Sequence, residues 1–146
     1  MQGLIQRVKS ASVDVAGERV GEIAQGILLL LGIEKNDTQL TADKLIDKIL
    51  AYRIFADEQN KMNSSVQNID GGVLVVSQFT LVADTNKGLR PSFSKAAAPA
   101  DAQVLYDYFV TQIRSKHRTV AAGIFAADMQ VSLVNDGPVT FLLQME

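Results

Sequence analysis

Apolar and polar positions change period several times along this chain, and each change marks an element. Residues 2 to 15 alternate, with Ile5, Val13 and Val15 among the apolar positions, which predicts a long strand. Ala16-Gly17 reads as a turn into a second strand near Arg19 to Ile23, so the chain opens on a hairpin. After Gly26 the run Ile27 to Ile33 is apolar throughout, the pattern of a central strand buried on both faces. The spacing then lengthens to three and four. Leu45, Ile46, Ile49, Tyr52 and Arg53 share one face of a helix ending near Phe55, with Asn36, Asp37, Thr38 and Thr41 as N-cap candidates.

Asp57 to Asn63 is polar and turn-like, and Asp70-Gly71-Gly72 breaks the pattern again. Val73 to Val76 starts a strand that carries Ser77-Gln78-Phe79-Thr80-Leu81 at its far end. Beyond a loop with Pro91, a helix is predicted from Pro99 or Asp101 to about Lys116, burying Val104, Leu105, Tyr108, Phe109 and Ile113. Strands are expected around Val120, over Met129 to Val134 and over Val139 to Leu143. Asn135-Asp136-Gly137-Pro138 between the last two reads as the turn of a closing hairpin. With no repeat or linker, residues 1 to 146 form one domain. The fold class is α/β: β-rich, mixed but largely antiparallel sheets in β/β/α layers, with two covering helices.

Composition narrows the chemistry. Hydrophobic content of 47% with 21% charge suits a globular chain, and Ile27 to Leu31, the longest apolar run, is far short of a bilayer span. The start Met1-Gln2-Gly3-Leu4-Ile5-Gln6-Arg7 lacks a signal-peptide layout, so a cytoplasmic address without membrane contact is expected. With no cysteine, thiolate nucleophiles and sulfur-based zinc sites are excluded. The net charge of −2 means that any nucleic acid must be bound by a local basic patch. One candidate is Lys87, Arg90 and Lys95, which adjoins the Ser77 motif. The other, Arg114, Lys116, His117 and Arg118, also reads as an ordinary solvated helix C-terminus.

The usual catalytic kit is nearly absent. His117, the single histidine, lies among cations with no neighbouring carboxylate and reads as a surface residue. No metal or nucleotide cofactor is expected, because a histidine-based site lacks partners and no glycine-rich phosphate loop is present. Ser77 and Thr80 remain as hydroxyl candidates. In a regular strand they face opposite ways, so a Ser/Thr dyad forms only if the strand ends or bulges there. Both also suit hydroxyls that satisfy backbone groups where a strand gives way to a loop.

Ser77-Gln78-Phe79-Thr80-Leu81 and Asn135-Asp136-Gly137-Pro138, in this order and in a chain of this length, resemble the D-aminoacyl-tRNA deacylases. The resemblance extends over Ile5-Gln6-Arg7-Val8, Arg53-Ile54-Phe55, Lys61-Met62-Asn63, Arg90-Pro91-Ser92-Phe93 and Ala127 to Asn135. It implies hydrolysis of the ester joining a D-amino acid to the terminal adenosine of tRNA. It further implies a homodimer in which Gly137-Pro138, held cis, enters the partner subunit's pocket and excludes L side chains. Ser77, Gln78, Phe79 and Thr80 are then the catalytic segment, with main-chain N–H groups at Phe79 and Thr80 facing the oxyanion and the tRNA 2′-OH helping to activate water. Met129 becomes a pocket wall and Arg7 a residue that orients the site loops. The alternatives are a non-catalytic tRNA-binding module and a related deacylase with relaxed chirality.

Overall fold

A computed structural model describes residues Met1–Glu146. The elements in chain order are β1 (Gln2–Val15), β2 (Glu18–Ile23), β3 (Gly26–Gly32), α1 (Gln39–Ala51), β4 (Phe55–Ala56), β5 (Met62–Ser64), β6 (Gly72–Ser77), a 3₁₀ helix (Phe79–Val82), α2 (Pro99–Lys116), β7 (Val120–Ala122) and β8 (Gln130–Gln144). Six strands form one sheet in the order β2-β1-β3-β6-β7, with β8 on the other side of β1, while β4 and β5 pair separately. The pairs β1–β2, β1–β3, β1–β8 and β4–β5 are antiparallel, and β3–β6 and β6–β7 are parallel. The sheet is therefore mixed and mostly antiparallel, as expected from hairpins at both ends of the chain, although only the first of them forms.

Period-two geometry sorts the core into two layers. Ile27, Leu29 and Leu31 on β3, with Val73 and Val75 on β6, pack under α1 and α2. Leu28, Leu74 and Val76, one step out of phase, join Val8, Ala11, Val13 and Ile23 on the opposite face. β1 serves both layers. Ile5 belongs to the helix-covered cluster and Ala11 and Val13 to the other, although all three are odd-numbered. The register irregularities of β1 against β8 between Gln6 and Ser10 make this switch possible, because an extra residue reverses which face the next side chain meets. Ala16 and Gly17, both at positive φ (50° and 81°), close the β1–β2 hairpin as expected.

α1 begins at the N-cap Thr38, whose hydroxyl accepts from the Thr41 N–H while the Thr41 hydroxyl accepts from the Thr38 N–H. It ends at Ala51, not near Phe55. The apolar spacing runs on numerically through Tyr52, but Tyr52 is extended and Ile54 and Phe55 enter the core from an irregular segment and β4. Asp57 organises the β4–β5 turn by accepting from the N–H groups of Gln59 and Lys61 at 2.9 Å each. α2 buries Leu105, Tyr106, Phe109, Val110 and Ile113. Val104, expected inside, is 69% exposed, because it lies one residue step, about 100°, off that stripe, and Tyr108 is only half-buried.

The largest correction concerns the C-terminal region. Asn135 to Pro138 is not a hairpin turn. β8 is one strand of 15 residues that runs antiparallel to β1 before and after the motif. Val8 pairs with Asn135 and Gln6 with Thr140, so Asp136 to Val139 bulge opposite Arg7 without reversing the chain.

Candidate active site

β6 is buried from Gly72 to Val76, and its ladder with β3 ends at the Leu31–Ser77 pair. The Gln78 N–H still reaches the Leu31 carbonyl at 2.8 Å. Beyond that, β3 stops at Gly32 and offers no further partner, so the strand expected to run to Leu81 instead coils into the 3₁₀ turn at Phe79. Gly32 is required here. A Cβ on it would sit 2.7 Å from Val82 Cγ1 and 3.3 Å from Leu81 Cβ, so only glycine lets the turn lie against the end of β3.

The turn determines what the motif presents. Leu81 N–H donates to the Gln78 carbonyl and Ala83 N–H to the Thr80 carbonyl. No turn or loop hydrogen bond starts from the N–H of Phe79 or Thr80, which as the opening residues of a helical turn have no acceptor within it. Gln78 Nε2 donates to Thr80 Oγ1 at 2.5 Å, whereas the Ser77 hydroxyl makes no bond to Thr80. The strand does end here, as a Ser/Thr dyad requires, yet the hydroxyls do not pair. Thr80 is exposed, with an amide, not a base, beside its oxygen.

A cavity of about 470 Å³ lies against this segment. Leu31, Ile33, Val76, Ser77, Gln78 and Phe79 form one wall, Ala96, Ala97, Pro99 and Ala102 a second, and Phe125 to Met129 with Val131 a third. Met129 is thus a wall residue. Asp128 is the one charged group in the lining; it lies in the Ala127 to Asn135 stretch that carries the resemblance, but no site role is expected of it from sequence. Tyr106, also unmarked in the sequence, ties the third wall to the strand β6 that carries the first. Its ring lies 5.7 Å from that of Phe125, and its hydroxyl is 3.3 Å from the Val75 carbonyl and 3.2 Å from the Gly123 carbonyl. Burial, more than the nearby Asp107, pushes the Tyr106 phenol up to about 12.

His117 is neither on the surface nor at this site. It caps α2, is buried, and places Nε2 2.6 Å from the Gly71 carbonyl. Gly71 precedes β6 at the end opposite Ser77, about 20 Å away at the rise of a strand. The run of cations around His117 concealed its burial, because the helix ends and the chain turns inward there.

Arg7, Gly137 and Pro138 lie elsewhere on the chain. Arg7 donates from Nε to the Asp136 carbonyl at 3.0 Å and from Nη1 to the Ile54 carbonyl at 2.7 Å, with the Asp136 carboxylate 3.6 Å from Nε. It thereby joins the β8 bulge to the segment before β4. Gly137 has φ of 128°, a region that disfavours any L side chain, and the Gly137-Pro138 peptide is cis. Arg7 pairs with Ile27 on β3 while Ser77 pairs with Leu31, and Gly137 lies three strands away from β6. Strand rise and spacing put the two motifs roughly 20 Å apart. One chain does not bring them together.

The profile of the D-Tyr-tRNA(Tyr) deacylase family matches residues 4–144. The chain is 73% identical, over all 146 residues and the whole of the relative, to a D-aminoacyl-tRNA deacylase of Cellvibrio japonicus. It is 62% identical to that of Stutzerimonas stutzeri, with 99% of each chain covered. Among solved structures, one titled c-Myc DNA Unwinding Element Binding Protein superposes with a TM-score of 0.94 at 41% identity, covering 99% of this chain and 98% of the other. A probable eukaryotic D-amino acid tRNA deacylase shares the fold, with a TM-score of 0.86 at 16% identity over 97% of each chain. A match across nearly every residue, together with a cavity built on the Ser77 motif, shows that this chain belongs to the D-Tyr-tRNA(Tyr) deacylase family.

Proposed function

We propose that this protein hydrolyses the ester between a D-amino acid, or glycine, and the terminal adenosine of tRNA, and so proofreads chirality in translation. The observation that carries the reading is the end of β6, where Phe79 in the cavity lining and Thr80 next to it leave their main-chain N–H groups unengaged, beside an apolar cavity that lacks a nucleophile–base pair. Such a site acts by positioning and by electrostatic stabilisation. Water adds to the ester carbonyl, the two N–H groups stabilise the oxyanion, and the bond to the ribose 3′ oxygen breaks. That oxygen leaves with the proton that water gives up, and amino acid and tRNA are the products. The adenosine 2′-OH orients the water, which also explains how an RNA ester is distinguished from other esters. Ser77 and Gln78 line the ester, Gln78 holds Thr80, and Met129 faces the α-carbon.

The working unit is a homodimer. Gly137 and Pro138 lie far from their own cavity, at an edge strand whose Val134, Phe141 and Leu142 are exposed, and the partner's Gly137-Pro138 completes the pocket. Its carbonyls hold the α-amino group and leave no space for an L side chain, while glycine passes because a wall rejects only what is larger. Arg7 positions this bulge. No helix is long and apolar enough to cross a membrane, in keeping with a place beside the translation machinery in the cytoplasm.

The test is a deacylation time course on D-tyrosyl-, L-tyrosyl- and glycyl-tRNA without added metal. Cleavage of the D and glycyl esters alone is expected. Cleavage of none points to a tRNA-binding module, cleavage of all three to relaxed chirality, and cleavage of the D ester with glycyl-tRNA intact overturns the exclusion model. Thr80→Ala is expected to keep activity within about 10-fold, and a 2′-deoxyadenosine terminus to lose most of it. A loss in Thr80→Ala beyond ~10³-fold, the scale of deleting a covalent nucleophile, restores a threonine mechanism.

A further inference from the structure

We infer that the segment from Asp84 to Ala97, together with Lys35, forms the landing surface for the single-stranded 3′ end of the RNA, with backbone phosphates on Lys35 and Lys95 and a base against Phe79 and Phe93. The inference rests on the proposed deacylase reading and specifies how the partner reaches that site. Phe79 lines the cavity yet is 63% exposed, and Phe93 beside it is 40% exposed, their rings 5.1 Å apart and tilted by 51°. Two large apolar rings held together in solvent at the mouth of a cavity are a platform that the fold itself leaves uncovered.

The backbone pins cations around this platform. Ala96 N–H donates to the Phe93 carbonyl at 3.0 Å, Lys35 N–H to the Lys95 carbonyl at 3.1 Å, and Ala97 N–H to the Ile33 carbonyl at 3.0 Å. Lys35 and Lys95 therefore flank each other within two residues of Ile33, Ala96 and Ala97 in the cavity wall. The paired bonds between Asp84 and Ser92 close the base of a loop whose exposed tip carries Lys87 and Arg90. None of these four cations has a carboxylate within ion-pair distance; of the 14 lysines and arginines only Arg7, Arg19, Lys116 and Arg118 do, so Lys35, Lys87, Arg90 and Lys95 keep their charge free beside the cavity. The acidic neighbours of Lys35 are already engaged: the Met1 ammonium holds Glu34 at 2.9 Å and Asp37 at 2.6 Å. In a protein of net charge −2, four unpaired cations thus lie around this mouth, with Asp128 the one carboxylate in the cavity lining.

Exposed π-faces beside unpaired cations match single-stranded nucleic acid, which offers both base faces and phosphates. A duplex hides its base faces, and a cavity of about 470 Å³ admits an aminoacylated end but not a helix.

The test compares D-tyrosyl-tRNA with the D-tyrosyl ester of adenosine, which carries no phosphate. For Lys35→Glu/Lys95→Glu, the ratio of kcat/KM on tRNA to that on the adenosine ester is expected to fall about 10-fold or more, through KM. For Lys35→Ala/Lys95→Ala, the slope of log(kcat/KM) on tRNA against log[salt] is expected to flatten by about 1.4, at about 0.7 per single-strand phosphate. Arg114→Glu, 12 residues or about 18 Å along α2 from Ala102, is expected to leave the ratio unchanged. An unchanged ratio in the lysine variants, or equal loss on both substrates, overturns the proposal. If the wild type cleaves neither ester, the deacylase reading fails, and the surface is judged by anisotropy with a labelled short RNA ending in C-C-A. RNA binding lost in the Glu variant supports the surface. No binding, or preference for an acidic peptide or for anionic vesicles, overturns it.

Discussion

The two motifs of this protein sit in opposite mechanical settings. Ser77 to Thr80 ends a strand enclosed between β3 and β7 and buried on both faces, so its position is set by the core. Asn135 to Pro138 bulges from β8, which pairs on one side only, and is fixed chiefly by Arg7. Burial fixes the first motif within the chain, and the edge position leaves the second on a strand with one side unpaired. Stability and activity should therefore separate between the two regions.

Gly137→Ala gives the largest effect. The φ of 128° disfavours alanine, and its Cβ would meet Val139 Cγ2 at 2.9 Å and Arg7 Nη2 at 3.1 Å, so the bulge must shift. A displacement of the order of 1 Å in a positioning element lowers kcat/KM by about 10²-fold. Because the bulge buries little, thermal denaturation should move only slightly. A variant that unfolds along with its loss of activity would erase the contrast.

Gly32→Ala tests the buried motif. Its methyl would push Val82 and Leu81 and move the turn that carries Phe79 and Thr80. Overpacking of this kind destabilises by about 1–3 kcal/mol, so urea unfolding and activity should fall together. Loss of activity at unchanged stability would show that the 3₁₀ turn is as weakly anchored as the β8 bulge.

The smallest effect sharpens the picture of the cavity's back wall. Tyr106 is raised by burial from 10.0 to about 12, so the folded state holds the phenolic proton more tightly than the unfolded chain. Its contribution is fully present below pH 10 and is lost as pH rises from about 10 to about 12. Tyr106→Phe should show a shallower decline in stability over that window, measured by denaturant melts at stepped pH. An identical decline would mean that the phenol does not carry it.

The elements were legible wherever periodicity and punctuation agreed. Val13 marked its strand because β geometry alternates side chains, Ile27 to Leu31 because a strand buried on both faces is apolar throughout, and Thr38, one of four N-cap candidates, proved to be the cap that accepts from Thr41. Where local signals were silent or shared by two structures, the reading failed. Asn-Asp-Gly-Pro suits a hairpin and a bulge equally, and only the pairing of β1 with both halves of β8 decides between them. His117 looks solvated by its neighbours and is buried by the turn inward that follows α2.

By itself the sequence determined the fold class and the two motifs, because residue spacing and turn chemistry are local properties. The tertiary structure alone decided that Ser77 and Thr80 do not pair, that Asp128 lines the cavity with Tyr106 packed behind Phe125, and that Gly137 lies roughly 20 Å across the sheet from Ser77. Those facts depend on which strands become neighbours, and a strand's neighbours are chosen by burial over the whole chain.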